Sequence, residues 1–162
     1  MSTNEDTINR FYTAFQERDY AAMADCYHPS VHFSDPVFPD LRGKRANAMW
    51  HMLCDPSSDL VITFNSVSAD GTTGSAHWEA TYSFGKGGRI VHNKIDAEFT
   101  FEDGKIIQHV DSFDLWAWSR MALGPIGTFA GWMSSTKSKI RETAVGRLSR
   151  FVEDHPEYIN EG

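Results

Sequence analysis

Cysteine is scarce: Cys26 and Cys54 are the only two among 162 residues. They show no CxxC spacing, which excludes a disulfide framework and a cysteine-built zinc site. Two buried free thiols in a reducing cytoplasm are the expectation. Basic charge is scarce as well. With 15 Lys and Arg against 22 Asp and Glu, the formal charge is −7, so the basic surface that phosphate contacts require is lacking and no nucleic-acid partner is expected. No apolar run approaches the roughly 20 residues that span a bilayer. The N-terminus MSTNEDTINRFY carries acidic residues where a signal peptide carries basic ones. No membrane partner is expected, and the reading is a cytoplasmic protein. No glycine-rich strand-to-helix turn of the nucleotide-binding form is present, so no nucleotide, flavin or structural metal cofactor is implied.

What is present fits one domain over residues 1–162. Five tryptophans in so short a chain point to a deep core, a ligand cavity or a buried interface. From Asp6 to Cys26, Ile8, Phe11, Phe15, Tyr20, Met23 and Ala24 recur at helical spacing, with a break near Arg18-Asp19. Val31 to Asp35 alternates as a strand after His28-Pro29, and Gly43 to Leu53 is helical, with Ala46, Met49, Trp50 and Leu53 on one face. Beyond Pro56 the pattern turns to strands over Leu60–Ser68, Ser75–Phe84, Ile90–Phe101 and Lys105–Phe113, separated by glycine turns suited to antiparallel hairpins. Helices followed by a meander of long strands predict an α+β domain. Ser134 to Val152 returns to a helix.

The stretch FSDPVF, residues 33–38, sets Asp35 between two aromatics and before a proline. Its order relative to the helices, and to AEFTFEDGKI before the last strand, resembles the NTF2-like superfamily, within it the SnoaL-like and ketosteroid-isomerase-like proteins. The likeness covers about residues 5–116, with a helical C-terminal extension over 117–155. It implies N-terminal helices packed on a strongly curved antiparallel sheet that forms a cone around an apolar pocket. In ketosteroid isomerases the general base is the aspartate of an Asp-Pro-Val sequence, which Asp35-Pro36-Val37 matches. A second, protonated aspartate lies eight residues before the glycine of the last hairpin, and Asp96 stands so before Gly104. The family's tyrosine oxyanion donor falls on Phe11, which cannot donate; Tyr12 is next to it. SnoaL-like polyketide cyclases place their acid/base aspartate in a His-x-Asp sequence on the last strand, matched by His109-Val110-Asp111.

The resemblance implies a cofactor-independent isomerase or cyclase that removes a proton next to a carbonyl in an apolar small molecule. Asp35, His109, Asp111 and Asp96 are the candidate catalytic groups. Phe11, Tyr12, His28, Phe33, Met49, Trp78, Tyr82 and Phe113 are the candidate substrate-binding residues. Strand periodicity puts Ile107, His109, Asp111 and Phe113 on one face. It also leaves Asp96 on a polar face with His92, Lys94 and Glu98, where solvent is the competing reading. Asp35 has a competing role too, as a turn residue that satisfies a backbone donor. An epoxide-hydrolase-like variant would need an Asp-Arg-Asp constellation and ranks third. The alternative class is a non-catalytic binding or dimerisation module, which the fold alone does not distinguish. A homodimer through the sheet is expected, because Trp, Tyr and Phe are read on both sides of its hairpins and the second face then needs covering. The apolar, glycine-punctuated segment from Leu115 to Met133 is expected to fold back over the cavity mouth or into the dimer interface.

Overall fold

The computed structural model describes residues 3–124 and 134–159. Helix α1 (Asn4–Gln16) starts at a capping box. The Thr3 N–H donates to Asp6 Oδ2 at 2.9 Å and the Asp6 N–H to Thr3 Oγ1 at 3.1 Å. Ile8, Phe11, Tyr12 and Phe15, spaced three and four apart, form its buried face. The break expected at Arg18-Asp19 is a left-handed residue, Arg18 at φ 59°, after which Asp19 caps α2 (Tyr20–Cys26). Arg18 also ties this corner down, donating to the carbonyls of Asp55, Ser58 and Leu60 at 2.7, 2.7 and 3.0 Å.

The strands are β1 (Tyr27–Ser34), β2 (Leu41–Arg42), β3 (Val61–Ala69), β4 (Thr73–Phe84), β5 (Arg89–Glu102) and β6 (Lys105–Ser112). Helix α3 (Lys44–Leu53) precedes β3, and α4 (Leu115–Leu123), α5 (Ser134–Asp154) and a 3-10 turn (Pro156–Tyr158) follow β6. The sheet order is β2-β1-β6-β5-β4-β3. Four neighbouring pairs are antiparallel as expected, and β1–β6 is parallel, so the sheet is mixed. The parallel pair is possible because the chain from β1 to β6 is a long crossover rather than a hairpin.

Alternation on β4 and β5 segregates the two faces. Ala76, Trp78 and Ala80 of β4 and Val91, Ile95, Ala97, Phe99 and Phe101 of β5 point inward to the helices and are buried. Their neighbours His77, Glu79, His92, Lys94, Asp96 and Glu98 occupy the outer face. The aromatic residues of this hairpin therefore lie on its inner side, and the outer face is polar. On β6 the register shifts between Thr100 and Phe101 of the partner strand, which pairs Phe101 with Ile106 and Thr100 with Gln108. Ile107 falls in that bulge, and Ile106 takes the inward position expected of Ile107. His109 and Asp111 keep their inward parity.

β6 stops pairing with β5 at Ser112, opposite Asp96. Helix α4 lies along the part of β5 beyond that point: Arg89 Nε donates to the Met121 carbonyl at 3.0 Å, and the His92 N–H to Met121 Sδ at 3.4 Å. Val91, Leu115, Trp118 and Ala122 form a small buried cluster there. The extension thus folds back on the domain as far as it is described; Ile126, Phe129 and Trp132 lie outside the described residues. Helix α5 packs on α3, with Leu148 fully buried and Arg45 Nη2 donating to Ser149 Oγ at 2.8 Å.

The approach of α1 to the sheet depends on Gly74. A Cβ there would meet Ile8 Cδ1 at 2.9 Å, Ala69 Cβ at 3.0 Å and Phe101 Cε2 at 3.1 Å. Gly74→Ala is expected to destabilise by about 1 to 3 kcal/mol in urea unfolding through overpacking. Gly71→Ala, with nothing within 4 Å of its Cβ, should stay within about 0.5 kcal/mol.

Candidate functional site

Beneath α1, five elements converge on one imidazole. His109 on β6 is 0% exposed, and the rings of Phe99, Phe33, Phe11 and Trp50 stand 4.5, 5.0, 5.6 and 5.9 Å from it. Its nitrogens are both engaged: Nδ1 lies 2.7 Å from Tyr27 Oη, and Nε2 lies 2.8 Å from Asp111 Oδ1. Trp50 Nε1 donates to Tyr27 Oη at 2.8 Å, and Trp78 Nε1 to Asp111 Oδ1 at 3.3 Å. The proton inventory assigns the tautomer. The Asp111 carboxylate only accepts, so Nε2 carries the ring proton and donates to it; Nδ1 then accepts the Tyr27 proton, and the Tyr27 oxygen accepts from the indole. The result is a buried chain, Trp50 to Tyr27 to His109 to Asp111, closed by Trp78. Burial raises the Tyr27 phenol well above its ordinary pKa, and the charge of Asp111 adds to this.

Asp35 sits just past the end of β1. Its N–H donates to the Phe38 carbonyl at 2.9 Å, and its Oδ1 accepts from the Val37 and Phe38 N–H groups at 2.7 and 2.5 Å. The turn role weighed from the sequence is thus seen in these hydrogen bonds. Asp35 keeps a partial opening to solvent, yet protein crowds its carboxyl. Desolvation pushes its pKa up to about 7, against the Phe38 and Val37 N–H groups and Arg141, and with help from the negative charge of Asp111. Beside it, Tyr82 accepts from Trp118 Nε1 at 2.7 Å, and Val37, Tyr82, Phe113 and Trp118 pack in one apolar cluster. Burial raises the Tyr82 phenol, Trp118 offsets part of this, and the charge of Asp35 adds to it.

The other sequence candidates divide. Phe11, Phe33, Met49 and Trp78 are buried in the core around His109. Tyr12 is fully buried against Phe64 and Trp78, and its hydroxyl has no hydrogen-bond partner among the described residues. Phe11 and Tyr12 both face the interior, because the helix buries a stripe wider than one residue. Asp96 is not brought to this site. Strand parity sends it to the outer face, where its side chain is 81% exposed and pairs with His77 at 2.9 Å. That bond and one to Glu79 raise the His77 pKa. His28 lies at the far end of β1, its Nε2 3.3 Å from Glu102. Tyr27 and Trp118 were not singled out from the sequence. Tyr27 shares the odd-numbered parity of Val31 and Phe33, which is the signal that would have placed it inward.

Two surface concavities, of about 480 and 200 Å³, occur elsewhere: one on the outer sheet face beside Glu98, Thr100 and Gln108, the other between Phe15, Arg18 and Leu60. Neither is lined by Asp35, His109 or Asp111.

Residues 8–109 match the SnoaL-like domain family, and the chain belongs to it. No curated protein sequence matches the chain. Among solved structures, an LEH-like epoxide hydrolase from Mycobacterium tuberculosis is similar, at 18% identity and TM-score 0.63 over 78% of this chain and 92% of that one. An NTF2-like protein from Burkholderia pseudomallei is 19% identical, with TM-score 0.63 over 75% and 98%. A protein from Jannaschia described as a candidate SnoaL-like polyketide cyclase is 17% identical, with TM-score 0.65 over 75% and 92%. At such identities the likeness carries the fold: the chain is an α+β protein of NTF2-like architecture with added C-terminal helices.

The buried chain predicts a test of its own. Tyr27→Phe removes one oxygen and leaves both Trp50 Nε1 and His109 Nδ1 without their partner, at a cost of roughly 2 kcal/mol or more in urea unfolding. The imidazole nitrogen shifts of His109 should move with it.

Proposed function

We propose that the chain is a cofactor-independent isomerase or cyclase that removes a proton next to a carbonyl in an apolar small molecule, with Asp35 as the general base. What supports this reading is the placement of the Asp35 carboxyl just past β1, crowded by protein next to Val37 of the apolar cluster, where desolvation pushes its pKa up to about 7 and the charge of Asp111 adds to this. A base poised near neutrality can take a proton from carbon and return it elsewhere on the same molecule. As the proton leaves, negative charge moves to the carbonyl oxygen. Tyr82, whose oxygen already accepts from Trp118, has its own proton left to donate there. Desolvation holds the base near neutrality, and the negative charge of Asp111 adds to it. The ketosteroid-isomerase-like and polyketide-cyclase-like readings share this chemistry.

A second reading, a non-catalytic ligand-binding or dimerisation module, draws on the filled interior, since Phe11, Phe33, Trp50 and Phe99 occupy the space around His109. Pairing of two chains through the sheet would bring polar outer faces together, and light scattering at micromolar concentration tests it by mass. Among the described residues no helix is long and apolar enough to cross a membrane. The buried free thiols Cys26 and Cys54 suit the reducing cytoplasm, where we place the activity.

Exchange of α-hydrogen for deuterium in a panel of apolar ketones separates the two readings. The rate should rise with pH through about 7 as Asp35 ionises, and Asp35→Asn should lower it by about 100-fold or more. No exchange above buffer, or exchange unchanged by Asp35→Asn, would favour the binding module.

The same substitution has a stability signature. The folded-state pKa of Asp35 lies above its ordinary value of 3.8, so the folded state holds the proton that the unfolded state releases. Stability conferred by the neutral carboxyl is present below the ordinary value and is lost as pH climbs to about 7, by up to about 1.4 kcal/mol per pH unit. Asn keeps the acceptor for Val37 and Phe38 without the charge. Asp35→Asn should therefore raise the melting temperature at pH 8 and leave it nearly unchanged at pH 4.

A further inference from the structure

The turn that carries Asp35 is also held by a side chain of the C-terminal helix. Arg141 of α5 donates its Nε–H to the Pro36 carbonyl at 2.8 Å, across 105 residues of sequence. The same peptide group, Pro36–Val37, ends in the Val37 N–H that donates to Asp35 Oδ1 at 2.7 Å. A trans peptide is planar and turns its C=O and N–H to opposite sides, so the guanidinium and the carboxylate sit at the two ends of one dipole. Positive charge lies at its oxygen and negative charge at its hydrogen, which is the favourable order. A hydrogen bond accepted by a carbonyl polarises the amide and strengthens the bond that its N–H donates.

A surface arginine on a carbonyl commonly serves only to anchor its helix, but α5 has other anchors. It packs on α3 with Leu148 fully buried, and Arg45 Nη2 donates to Ser149 Oγ. Arg141 itself is exposed, and among the described residues it forms no ion pair that would neutralise its charge. The groups that act on Asp35 come from every side of it. Burial and Asp111 of β6 favour the neutral carboxyl, the Phe38 and Val37 N–H groups of its own turn and Arg141 of α5 favour the ionised one, and Tyr82 of β4 lies within its field. Arg141 is the cation of that set.

We propose that Arg141 is a positioning residue for Asp35: through the Pro36–Val37 peptide it aims and polarises the N–H that holds Oδ1, which makes α5 part of the proton-transfer site. The inference rests on Asp35 as the base. Both backbone N–H groups bind Oδ1, so Oδ2 is the oxygen left to take the proton. Arg141 lies beyond residues 8–109, which match the family, so this control over the base comes from the extension and not from the matched domain.

The test follows the Asp35 side-chain carboxyl of the full chain by 13C NMR against pH. The wild type should titrate at about 7. Arg141→Gln should titrate higher, by about half a pH unit or more, and Arg141→Lys, which keeps the charge, should return most of the way. Arg147→Gln, which alters another exposed arginine of α5, should change nothing. The pH profile of α-hydrogen exchange should move with the carboxyl, so that Arg141→Gln loses roughly threefold or more in rate at pH 6 while KM stays within about twofold.

Should Arg141→Gln fail to fold, the wild type decides: the Arg141 Nε–H and Val37 N–H resonances should both shift with the Asp35 midpoint, because one peptide joins them. An Asp35 midpoint unchanged in Arg141→Gln, an Arg141→Lys midpoint no closer to wild type than that of Arg141→Gln, or an Arg141 Nε–H that ignores the titration would each overturn the proposal. The two readings fail separately. Exchange that is absent while the titration behaves as expected removes Asp35 as the base and leaves its coupling to Arg141 in place; an unmoved titration with exchange intact removes the coupling alone.

Discussion

The interior of this domain is organised around the burial of one imidazole. A histidine at 0% exposure is tolerable only if both ring nitrogens are partnered, since an unmatched polar atom in an apolar interior costs about 1 to 3 kcal/mol. Tyr27 and Asp111 meet that demand, and each then needs a partner for its own oxygen, which the indoles of Trp50 and Trp78 supply. Four elements are tied by this requirement: β1 through Tyr27, α3 through Trp50, β4 through Trp78, and β6 through His109 and Asp111. The aromatic rings around the imidazole exclude water, which strengthens every bond in the chain.

From that centre the electrostatics reach the surface through Asp111. Burial raises the phenols of Tyr12 and Tyr27 and the carboxyl of Asp35, and the charge of Asp111 adds to each. The turn after β1 does the opposite work, with two backbone N–H groups that favour the ionised form of Asp35. A carboxyl drawn both ways settles near the pH at which it can exchange protons. The sequence FSDPVF thus acquires its physical meaning: proline and the two following N–H groups fix the turn, while burial next to Val37 and Phe38 keeps the carboxyl from ionising fully.

Much of the frame was legible because β4 and β5 alternate cleanly, and parity alone places Trp78, Ile95, Ala97 and Phe99 inward and Asp96 outward. The resemblance to ketosteroid isomerases pulled Asp96 toward the pocket against that parity, and parity prevailed. The bulge at Ile107 escaped a pattern-based reading because one inserted residue leaves both alternations locally plausible. The parallel pairing of β1 with β6 escaped it too, since the partners are far apart in sequence and no turn residue announces them. Tyr27 was hidden for the same reason: its role comes from a partner 82 residues away. Trp118 lies in the extension, beyond the stretch to about residue 116 that the resemblance covers, so the resemblance had nothing to say about it.

The two apolar clusters differ in what it takes to disturb them. The larger one interlocks α1, α2, α3 and the sheet around His109, and opening it would expose the whole polar chain at once. The smaller one joins α4 to the edge of β5 through Val91, Leu115, Trp118 and Ala122, with polar ties from Arg89 to Met121 and from Trp118 to Tyr82. Lifting α4 would free Tyr82 and uncover Val37 while leaving His109 enclosed. The two clusters therefore differ in kind: α4 is held to the sheet edge by a small cluster and a few polar ties, whereas the imidazole that fixes the interior is enclosed by most of the core.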